Sequence, residues 1–248
     1  MTLVQLKIDD GIARIRMNRP EKRNALSLDL INQLEDVLAS IARDESIRVM
    51  ILGGEGKSFC AGMDLQGVLD DAPMMAGMLH GLSRAMRAIR RLPVPTIAQV
   101  QGAAVGGGCG LAVVCDYAIS HAEAKLGYPE VELGVCPAVV APWLIRRVGS
   151  GRARGLLLAG GTMNGSKALE IGLIDEIADQ TDLEQRCLDF AKKLASGGQK
   201  ALSITKSWLN ELEDSMIDGP FERAAEISAE VIVGEEAQSR LKRIFKGG

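Results

Sequence analysis

The feature that most constrains this sequence is a glycine-rich stretch at residues 101–110, which reads Gln-Gly-Ala-Ala-Val-Gly-Gly-Gly-Cys-Gly. It lies within 24 consecutive residues, 92–115, that carry no charged side chain. Glycines this dense, followed by the apolar run 111–115, indicate backbone that approaches a ligand closely. The amides would then lie at a helix N-terminus, where N–H groups are unpaired and negative charge is favoured. A buried strand followed by a tightly packed helix explains the glycines equally well.

Several better-known motifs do not fit the sequence. A membrane-spanning helix needs roughly 20 apolar residues, and Pro93, Pro95 and the glycines interrupt this stretch. A dinucleotide-binding loop needs glycines at i, i+2 and i+5, which no frame here supplies. Residues 56–58, Gly-Lys-Ser, resemble the end of a P-loop, but its first glycine would fall on Ile51. Residues 149–151, Gly-Ser-Gly, lack the leading glycine of a nucleophile elbow.

The composition is that of a globular protein and disfavours a nucleic-acid partner. The chain has 248 residues, of which 47% are hydrophobic and 25% charged, and its net charge is −3 with no basic tract. This length predicts one large domain, or a domain with an appended helical segment. The N-terminus has neither the charged nor the apolar region of a signal peptide, so we expect a cytoplasmic protein without membrane association.

Cysteine and histidine usage argues against disulfides and metal sites. Only His80 and His121 are present, far apart in sequence, so a histidine-based metal site is not expected. The cysteines are odd in number and show no Cys-x-x-Cys spacing, so we interpret them as reduced, small buried residues. They are Cys60, Cys109, Cys115, Cys136 and Cys187.

The first half of the chain alternates strand and helix patterns. Residues 3–8 and 12–17 alternate apolar and polar side chains around Asp10-Gly11, which predicts a β-hairpin. Ser27 is suited to cap a helix with an apolar stripe that reaches Ile41. Strand, helix, strand then follow at residues 48–52, 73–91 and 96–100. This order predicts an α/β fold with a largely parallel sheet.

Helices dominate the second half. Residues 117–120 form a predicted strand, and residues 125–133 an extended or looped segment. Helices are predicted at 138–148, with a start near Pro142 as an alternative, and at 152–159, 166–171, 183–195, 201–213 and 221–245. A shift in composition near residue 195 divides the chain into a core at 1–195 and a C-terminal helical region at 196–248. Such a region commonly covers a neighbouring segment or packs on another subunit.

Two glycine-containing loops are candidates to bind one oxygen atom. Residues 58–65, Ser-Phe-Cys-Ala-Gly-Met-Asp-Leu, follow a strand and a glycine turn, and Gly106 to Gly108 follow the next strand. Paired amides that converge on an oxygen form an oxyanion hole, in which each donor is worth roughly 2.7–4 kcal/mol in the transition state. Either loop taken alone is equally consistent with an ordinary strand-to-helix turn.

The third candidate segment is Tyr128-Pro129-Glu130. Pro129 stiffens the turn, and apolar residues such as Val131 and Leu133 follow. Desolvation there would weaken the acidity of the Glu130 carboxyl group, which suits proton transfer near neutral pH. Taken alone, a glutamate in a loop is more often solvated.

With these three segments in this order, the chain resembles the enoyl-CoA hydratase/isomerase (crotonase) family over nearly its whole length. Residues 18–26, Asn-Arg-Pro-Glu-Lys-Arg-Asn-Ala-Leu, resemble the N-terminal signature of the family. The other matching segments are the Phe-Cys-Ala-Gly-x-Asp-Leu loop at 58–65, the glycine loop and helix at 101–116, the catalytic-glutamate segment at 128–134, and Ala-Leu-Glu-Ile-Gly-Leu-Ile-Asp at 168–175.

The resemblance implies an α/β spiral of ββα units with a helical C-terminal region that forms trimers, often paired into hexamers. The ligand would be an acyl-CoA thioester, without a metal or redox cofactor. The amides of Met63 and Gly107 would hold the thioester oxygen as enolate charge develops, and Glu130 would be the general acid/base. The further substrate-binding residues carried over are Lys22, Arg23, Ala25, Leu26, Ala61, Asp64, Gly106 and Gly110, with the backbone of Ala25, Leu26 and Ala61 around the adenine. Possible partners of the CoA phosphates, if not simply a solvated basic edge, are Arg14, Arg16, Arg19, Lys22, Arg23 and Lys57.

One departure from the family pattern concerns the reaction. The best-known hydratases carry two glutamates, and Gly110 occupies the position of the first. Two carboxylates can position and deprotonate a water molecule, whereas one can still move a proton between two carbons. However, residues 130–134 and 137–142 resemble a bacterial subgroup close to methylglutaconyl-CoA hydratases, which also has a small residue at this position. The sequence therefore predicts hydration of a straight or branched enoyl-CoA slightly ahead of isomerisation, with a catalytically silent acyl-CoA binder as the remaining alternative.

Overall fold

The structure is a computed structural model that describes residues 2–69 and 71–246. Its strands are β1 (Val4–Asp9), β2 (Ile12–Met17), β3 (Val49–Gly54), β4 (Thr96–Val100), β5 (Ala104–Val105), β6 (Tyr117–Ser120), β7 (Lys125–Gly127), β8 (Thr162–Asn164) and β9 (Glu176–Ile177). Its α-helices are α1 (Leu28–Arg43), α2 (Ala72–Arg91), α3 (Gly107–Val114), α4 (Ala141–Val148), α5 (Ser150–Ala159), α6 (Gly165–Glu170), α7 (Leu183–Ala195), α8 (Gln199–Leu212), α9 (Gly219–Ile232) and α10 (Glu235–Lys246). Short 3₁₀ helices lie at Pro20–Lys22, Gln66–Val68 and Glu130–Leu133.

The strands build two sheets. Six strands form the first sheet in the order β1-β2-β3-β4-β6-β9, which is parallel except for the β1–β2 hairpin. Strands β5, β7 and β8 form the second sheet. Strands β4 and β6 belong to the first sheet, and the strands that follow them, β5 and β7, belong to the second. Each of these strand pairs therefore adds one strand to each sheet before the next helix. This is the α/β spiral of ββα units that the sequence predicted.

The central strands β3 and β4 of the first sheet are buried on both faces, which explains their apolar sequences, whereas β1 at its edge is exposed. On one face, Met50 and Leu52 of β3 join the main core, which also contains the apolar stripes of α1 and α2. On the other face, Val49 and Ile51 pack with Leu183 and other residues of α7. None of the helices described is long and apolar enough to cross a lipid bilayer.

Helix caps explain where the two long helices of the first half begin. Ser27 Oγ accepts a hydrogen bond from the Leu30 N–H at 3.3 Å and so caps α1, as predicted. The Asp71 carboxylate accepts a hydrogen bond from the Met74 N–H at 2.9 Å and caps α2. Each cap satisfies an amide that the helix itself leaves unpaired.

Three predicted elements differ in the structure. The single helix predicted at residues 221–245 is wrong, because α9 ends at Ile232 and α10 begins at Glu235. Gly234 lies in this break, and glycine is a poor helix former. The helix predicted at residues 138–148 begins at Ala141, as its alternative start near Pro142 indicated, so that Pro142 falls in the first turn, where its missing N–H is tolerated. The segment predicted at residues 125–133 divides into β7 and a 3₁₀ helix.

Helix α8 is attached to the core through a buried lysine. Lys206 Nζ donates to Asp116 Oδ2 at 2.7 Å and to the carbonyl oxygen of Val94 at 2.9 Å. Asp116 Oδ2 also accepts from the Thr96 N–H at 2.8 Å. These contacts join the predicted C-terminal region to the end of α3 and the start of β4, whereas the predicted boundary at residue 195 stays a prediction.

Replacing Lys206 tests this attachment. Lys206→Met keeps the aliphatic volume but removes two hydrogen bonds, so we expect a loss of about 1–3 kcal/mol in the free energy of unfolding. Urea unfolding would measure the loss. Lys167→Met, which removes the exposed Lys167–Glu170 pair, should cost less than about 0.5 kcal/mol. Equal costs for the two variants would contradict the structural role given to Lys206.

Candidate active site

Three of the predicted segments meet at one apolar cavity with a volume of about 150 Å³. Among the predicted site residues, the cavity is lined by Ala61, Met63, Gly106, Gly107 and Glu130. These residues come from positions far apart in the sequence, and the two sheets bring them together. The proposed oxyanion donors and the proposed acid/base therefore face a common space.

Met63 lies in the loop that the sequence selected. Leu26 and Met63 form an isolated parallel bridge, in which the Leu26 N–H donates to Gly62 O at 2.8 Å and the Asp64 N–H donates to Leu26 O at 2.9 Å. Within the described part of the chain, the Met63 N–H donates no hydrogen bond to another backbone group. This amide is therefore available for a ligand in the cavity that Met63 lines.

Gly107 is the first residue of α3, and its amide lies in the unpaired first turn of the helix. The preceding Gly106 has a φ of 56° and a ψ of −124°, a conformation that a residue with a side chain rarely adopts. The Gly106 N–H donates to Gly127 O at 2.8 Å, which fixes the turn to β7. The positive end of the α3 dipole therefore points at the cavity, where it favours an oxygen with negative charge.

Glu130 faces the same glycines. A Cβ atom placed on Gly106 would lie 3.1 Å from Glu130 Oε1, a tight contact that would push the carboxylate from its position. Glu130 Oε2 is buried and has no hydrogen-bond partner among the described residues. Burial raises the pKa of Glu130 from its usual value near 4.5 to about 7. A partly buried carboxyl group whose Oε2 has no hydrogen-bond partner, with a pKa near neutrality, is suited to exchange a proton with a ligand.

Gly110 does not line the cavity, unlike the other predicted glycines. A Cβ atom on Gly110 would collide with Met86 Cε and would lie 2.7 Å from Val140 Cγ1. The space that a longer side chain would need at this position is thus filled by two apolar residues. At the position where the family resemblance placed a second carboxylate, this chain therefore has a packed apolar contact.

The other predicted substrate-binding residues surround the Met63 loop outside the cavity. Ala61 N–H donates to Arg23 O at 3.0 Å, so this loop and the turn before α1 are directly joined. Ala25 is half-buried and Leu26 buried, whereas the side chains of Lys22 and Arg23 are exposed. Their roles toward a ligand stay predictions.

Of the six basic residues considered as phosphate partners, three are engaged by carboxylates. Arg14 and Arg16 both pair with Glu184. Arg19 pairs with Asp64 at 2.7 Å, so neither of these two charges is free. Lys57 is exposed, as are Lys22 and Arg23, and these three are the better placed to meet a phosphate.

Much of the cavity wall was not found from the sequence. It includes Leu79 and Leu82 of α2, Ile232 of α9 and Phe245 of α10. Apolar residues on a helix stripe look the same whether they line a core or a ligand cavity, so the pattern carries no signal for them. Among the described residues that line the cavity, Glu130 is the one with an ionisable carboxyl or basic group.

The cysteines are free thiols, and four of the five are buried, as expected. Cys136 differs, because it is only half-buried and lines the cavity near Glu130. Its exposure follows from its place in the loop before α4, between Gly134 and Pro137. Within residues 2–69 and 71–246, no three His, Cys, Asp or Glu side chains are grouped so as to hold a metal ion.

The packing around Gly110 can be tested by substitution. Gly110→Ala should lower the free energy of unfolding by about 1–3 kcal/mol, because the added methyl overpacks against Met86 and Val140. Gly155→Ala in α5 is a matched control, since nothing lies within 4 Å of a Cβ atom there, and it should be neutral or stabilising. In the Gly110→Ala/Met86→Ala double variant the cost should be less than the sum of the single costs. Additive costs in urea unfolding would contradict the contact.

The burial of Glu130 predicts a pH-dependent stability. Because its pKa is higher in the folded state than in the unfolded chain, the folded state binds more protons between about pH 4.5 and 7, and the stability from this group falls as the pH rises through that window. As the pH rises from about 5 to about 8, the melting temperature of Glu130→Gln should therefore increase relative to that of the native protein. Thermal unfolding at several pH values measures this difference. The exposed neighbour variant Glu132→Gln should show no such trend, and a constant gap for Glu130→Gln would refute the burial argument.

Comparison with known proteins agrees with the fold. The family model for enoyl-CoA hydratase/isomerase matches residues 7–238. The chain is 34% identical to a crotonyl-CoA hydratase from Syntrophomonas wolfei, over 91% of this chain and 86% of that protein, and 31% identical to a 1,2-epoxyphenylacetyl-CoA isomerase from Escherichia coli K12, over 88% and 86%. A crystal structure of an enoyl-CoA hydratase/isomerase from Mycobacterium paratuberculosis superposes with a TM-score of 0.89, covers 98% of both chains and is 26% identical. The chain therefore belongs to the enoyl-CoA hydratase/isomerase family.

Proposed function

We propose that this enzyme moves a double bond within an acyl-CoA thioester, converting 3-enoyl to 2-enoyl esters. The observation that carries the proposal is that Glu130 is the single carboxyl group among the described residues that line the cavity. Glu130 faces the two oxyanion donors, whereas Met86 and Val140 fill the space at Gly110. One carboxyl group that is alternately a base and an acid is sufficient for a proton shift between two carbons.

The proposed reaction begins with the Glu130 carboxylate, which removes a proton from C2 of the 3-enoyl thioester. The electron pair of the broken C–H bond moves into the thioester, and the carbonyl oxygen becomes an enolate oxygen. The amides of Met63 and Gly107 donate hydrogen bonds to that oxygen. Each such donor is worth roughly 2.7–4 kcal/mol in the transition state.

The protonated Glu130 then returns the proton to C4, and the double bond moves from C3–C4 to C2–C3. No atom is gained or lost, so neither a metal nor a redox cofactor is required. The pKa of about 7 for Glu130 suits both steps, since the group is readily deprotonated and readily protonated near neutral pH.

Hydration is the second candidate, supported by the similarity to relatives such as the crotonyl-CoA hydratase of Syntrophomonas wolfei. Water would have to add to C3 while a proton is delivered to C2. The sequence ranked this reaction first, but the described residues that line the cavity include no second carboxylate to hold the water. For that reason we place isomerisation ahead.

The lining of the cavity indicates an uncharged hydrocarbon acyl group. A methylglutaconyl group would bring a second carboxylate among Leu79, Leu82 and Val139, with no lysine or arginine among the described lining residues to pair with it. An unpaired charge in such surroundings is strongly disfavoured. Straight or branched hydrocarbon chains carry no such penalty.

The CoA part of the substrate is proposed to lie outside the cavity. The backbone of Ala25, Leu26 and Ala61 would contact the adenine, and the exposed Lys22, Arg23 and Lys57 are suited to the phosphates. Phosphate groups attract such side chains through charge-assisted hydrogen bonds.

A homotrimer, or a dimer of trimers, is likewise proposed. Helix α8 exposes Ile204 (58%), Trp208 (57%) and Leu212 (63%) on its surface. An exposed apolar face of this kind is typical of a protein–protein contact. The cytoplasmic location and the lack of a nucleic-acid partner also remain predictions from the sequence.

Isomerase activity can be measured with 3-hexenoyl-CoA, because the 2-hexenoyl product has a conjugated double bond with its own ultraviolet absorbance. Glu130→Gln should reduce kcat by about 10²–10⁴-fold. For the native enzyme, kcat/KM should rise with pH through about 7, as Glu130 becomes ionised in the free protein. Glu132→Gln, two residues away and exposed, should retain activity.

Other outcomes would separate the alternatives. Addition of water to 2-hexenoyl-CoA without conversion of 3-hexenoyl-CoA would establish the hydratase. Binding of both esters without turnover would favour the acyl-CoA binder. Full activity of Glu130→Gln would remove Glu130 from the mechanism.

A further inference from the structure

The direction of the Met63 amide depends on a very short piece of parallel ladder. The neighbours of Met63, Gly62 and Asp64, are hydrogen-bonded to Leu26 through Gly62 O and the Asp64 N–H. In a parallel ladder, the residue between two bonded neighbours directs its own N–H to the opposite side. The Met63 N–H therefore faces away from Leu26. Its direction depends on how firmly Asp64 is held against Leu26.

Arg19 joins the two sides of the ladder. Its Nη1 donates to Asp64 Oδ2 at 2.7 Å and to Ala25 O at 3.1 Å. The Arg19 and Asp64 side chains are 18% and 15% exposed, so their ion pair is partly shielded from water and salt. Charge-assisted hydrogen bonds are shorter and stronger than neutral ones. One guanidinium group thus holds the residue after Met63 to the residue before Leu26.

Arg19 is itself fixed by a tight turn. The Arg19 N–H donates to Asn24 Oδ1 at 2.9 Å, and Asn24 Nδ2 donates to Ser58 O at 2.8 Å. Asn24 is fully buried and has a φ of 56°, in the left-handed region that asparagine tolerates better than most residues. The turn at residues 18–26 and the loop at residues 58–65 therefore form one unit, which the Arg19–Asp64 pair closes beside Met63.

We propose that Arg19 and Asp64 are positioning residues whose ion pair aims the Met63 amide at the thioester oxygen. This rests on the proposed function, since it needs an oxygen on which negative charge develops. Neither side chain lines the cavity, so the pair acts through the backbone and not by contact with the reacting atoms. It replaces the roles that the sequence gave these residues, phosphate partner for Arg19 and direct substrate contact for Asp64.

Loss of the pair should lower kcat and leave binding of the ground state nearly unchanged. The Met63 amide interacts more strongly with an enolate oxygen than with a neutral carbonyl, so its misplacement is felt mainly in the transition state. Asp64→Asn keeps the shape of the side chain and removes its charge, and Arg19→Met removes the guanidinium. We expect each variant to lose about 10- to 100-fold in kcat with less than about a threefold change in KM. The double variant should be no worse than the poorer single variant.

Two ligands distinguish positioning from a general structural defect. Butyryl-CoA presents a neutral thioester, whereas acetoacetyl-CoA can bind as an enolate with its own ultraviolet absorbance. The variants should bind butyryl-CoA as the native protein does and lose at least about tenfold in affinity for the acetoacetyl-CoA enolate. Arg19→Lys, which keeps the charge but reaches fewer acceptors at once, should recover part of the loss.

The control is Arg84→Met, which removes another arginine–carboxylate pair, Arg84–Glu35 at 2.8 Å, whose Arg84 side chain is half exposed. It should leave kcat unchanged. Melting temperatures establish that each variant is folded, and Asp64→Asn with Arg19→Lys supplies the test if Arg19→Met does not fold.

Native kcat and native enolate affinity in Asp64→Asn would overturn the positioning role while the proposed function stands. Equal losses of affinity for both ligands would also overturn it, because they would show a damaged CoA site. A native protein that neither converts nor binds any of these esters would overturn the proposed function and the positioning role with it.

Discussion

The partial burial of one carboxyl group, whose Oε2 has no hydrogen-bond partner among the described residues, is the constraint on which the site depends. Glu130 loses part of the hydration that would stabilise its charged form, and burial raises its pKa to about 7. Such a group is unfavourable in a folded protein unless the surrounding structure holds it in place. Here Pro129, the 3₁₀ helix at Glu130–Leu133 and the hydrogen bond from Val135 N–H to Glu130 O at 2.9 Å do so.

Gly106 and Gly110 belong to one glycine-rich stretch, but each is required for a different structural reason. Gly106 is required because its backbone is left-handed and its Cα faces the Glu130 carboxylate. Gly110, one turn further, is required because Met86 and Val140 leave no room for a side chain. Gly106 leaves room beside the Glu130 carboxylate, and Gly110 allows Met86 and Val140 to pack against α3. Together they account for a site with one acid/base group.

The parts of the fold that the sequence predicted are those with a local signal. The hairpin around Asp10-Gly11, the Ser27 cap and helix α7 at Leu183–Ala195 depend on turn chemistry and short-range periodicity. The raised pKa of Glu130 also followed from its immediate neighbours. In contrast, the contact of Gly110 with Met86 and Val140, and the pairing of Arg19 with Asp64, join residues far apart in sequence. Sequence patterns over a short stretch of residues carry no information on such contacts. In the sequence, an arginine that binds a phosphate cannot be distinguished from one that pairs with a carboxylate.

The cavity wall includes Ile232 of α9 and Phe245 of α10, so its completion requires the docking of helices that follow the two sheets in the chain. A ligand that occupies the cavity must therefore stabilise this docked arrangement by mass action, and the stabilisation grows with the logarithm of the ligand concentration once this exceeds the dissociation constant. Local opening of α9 and α10 would empty the cavity, and substrate would suppress that opening. The resistance of these two helices to proteolysis should therefore increase with the substrate concentration. The protein without substrate would be cleaved there more readily.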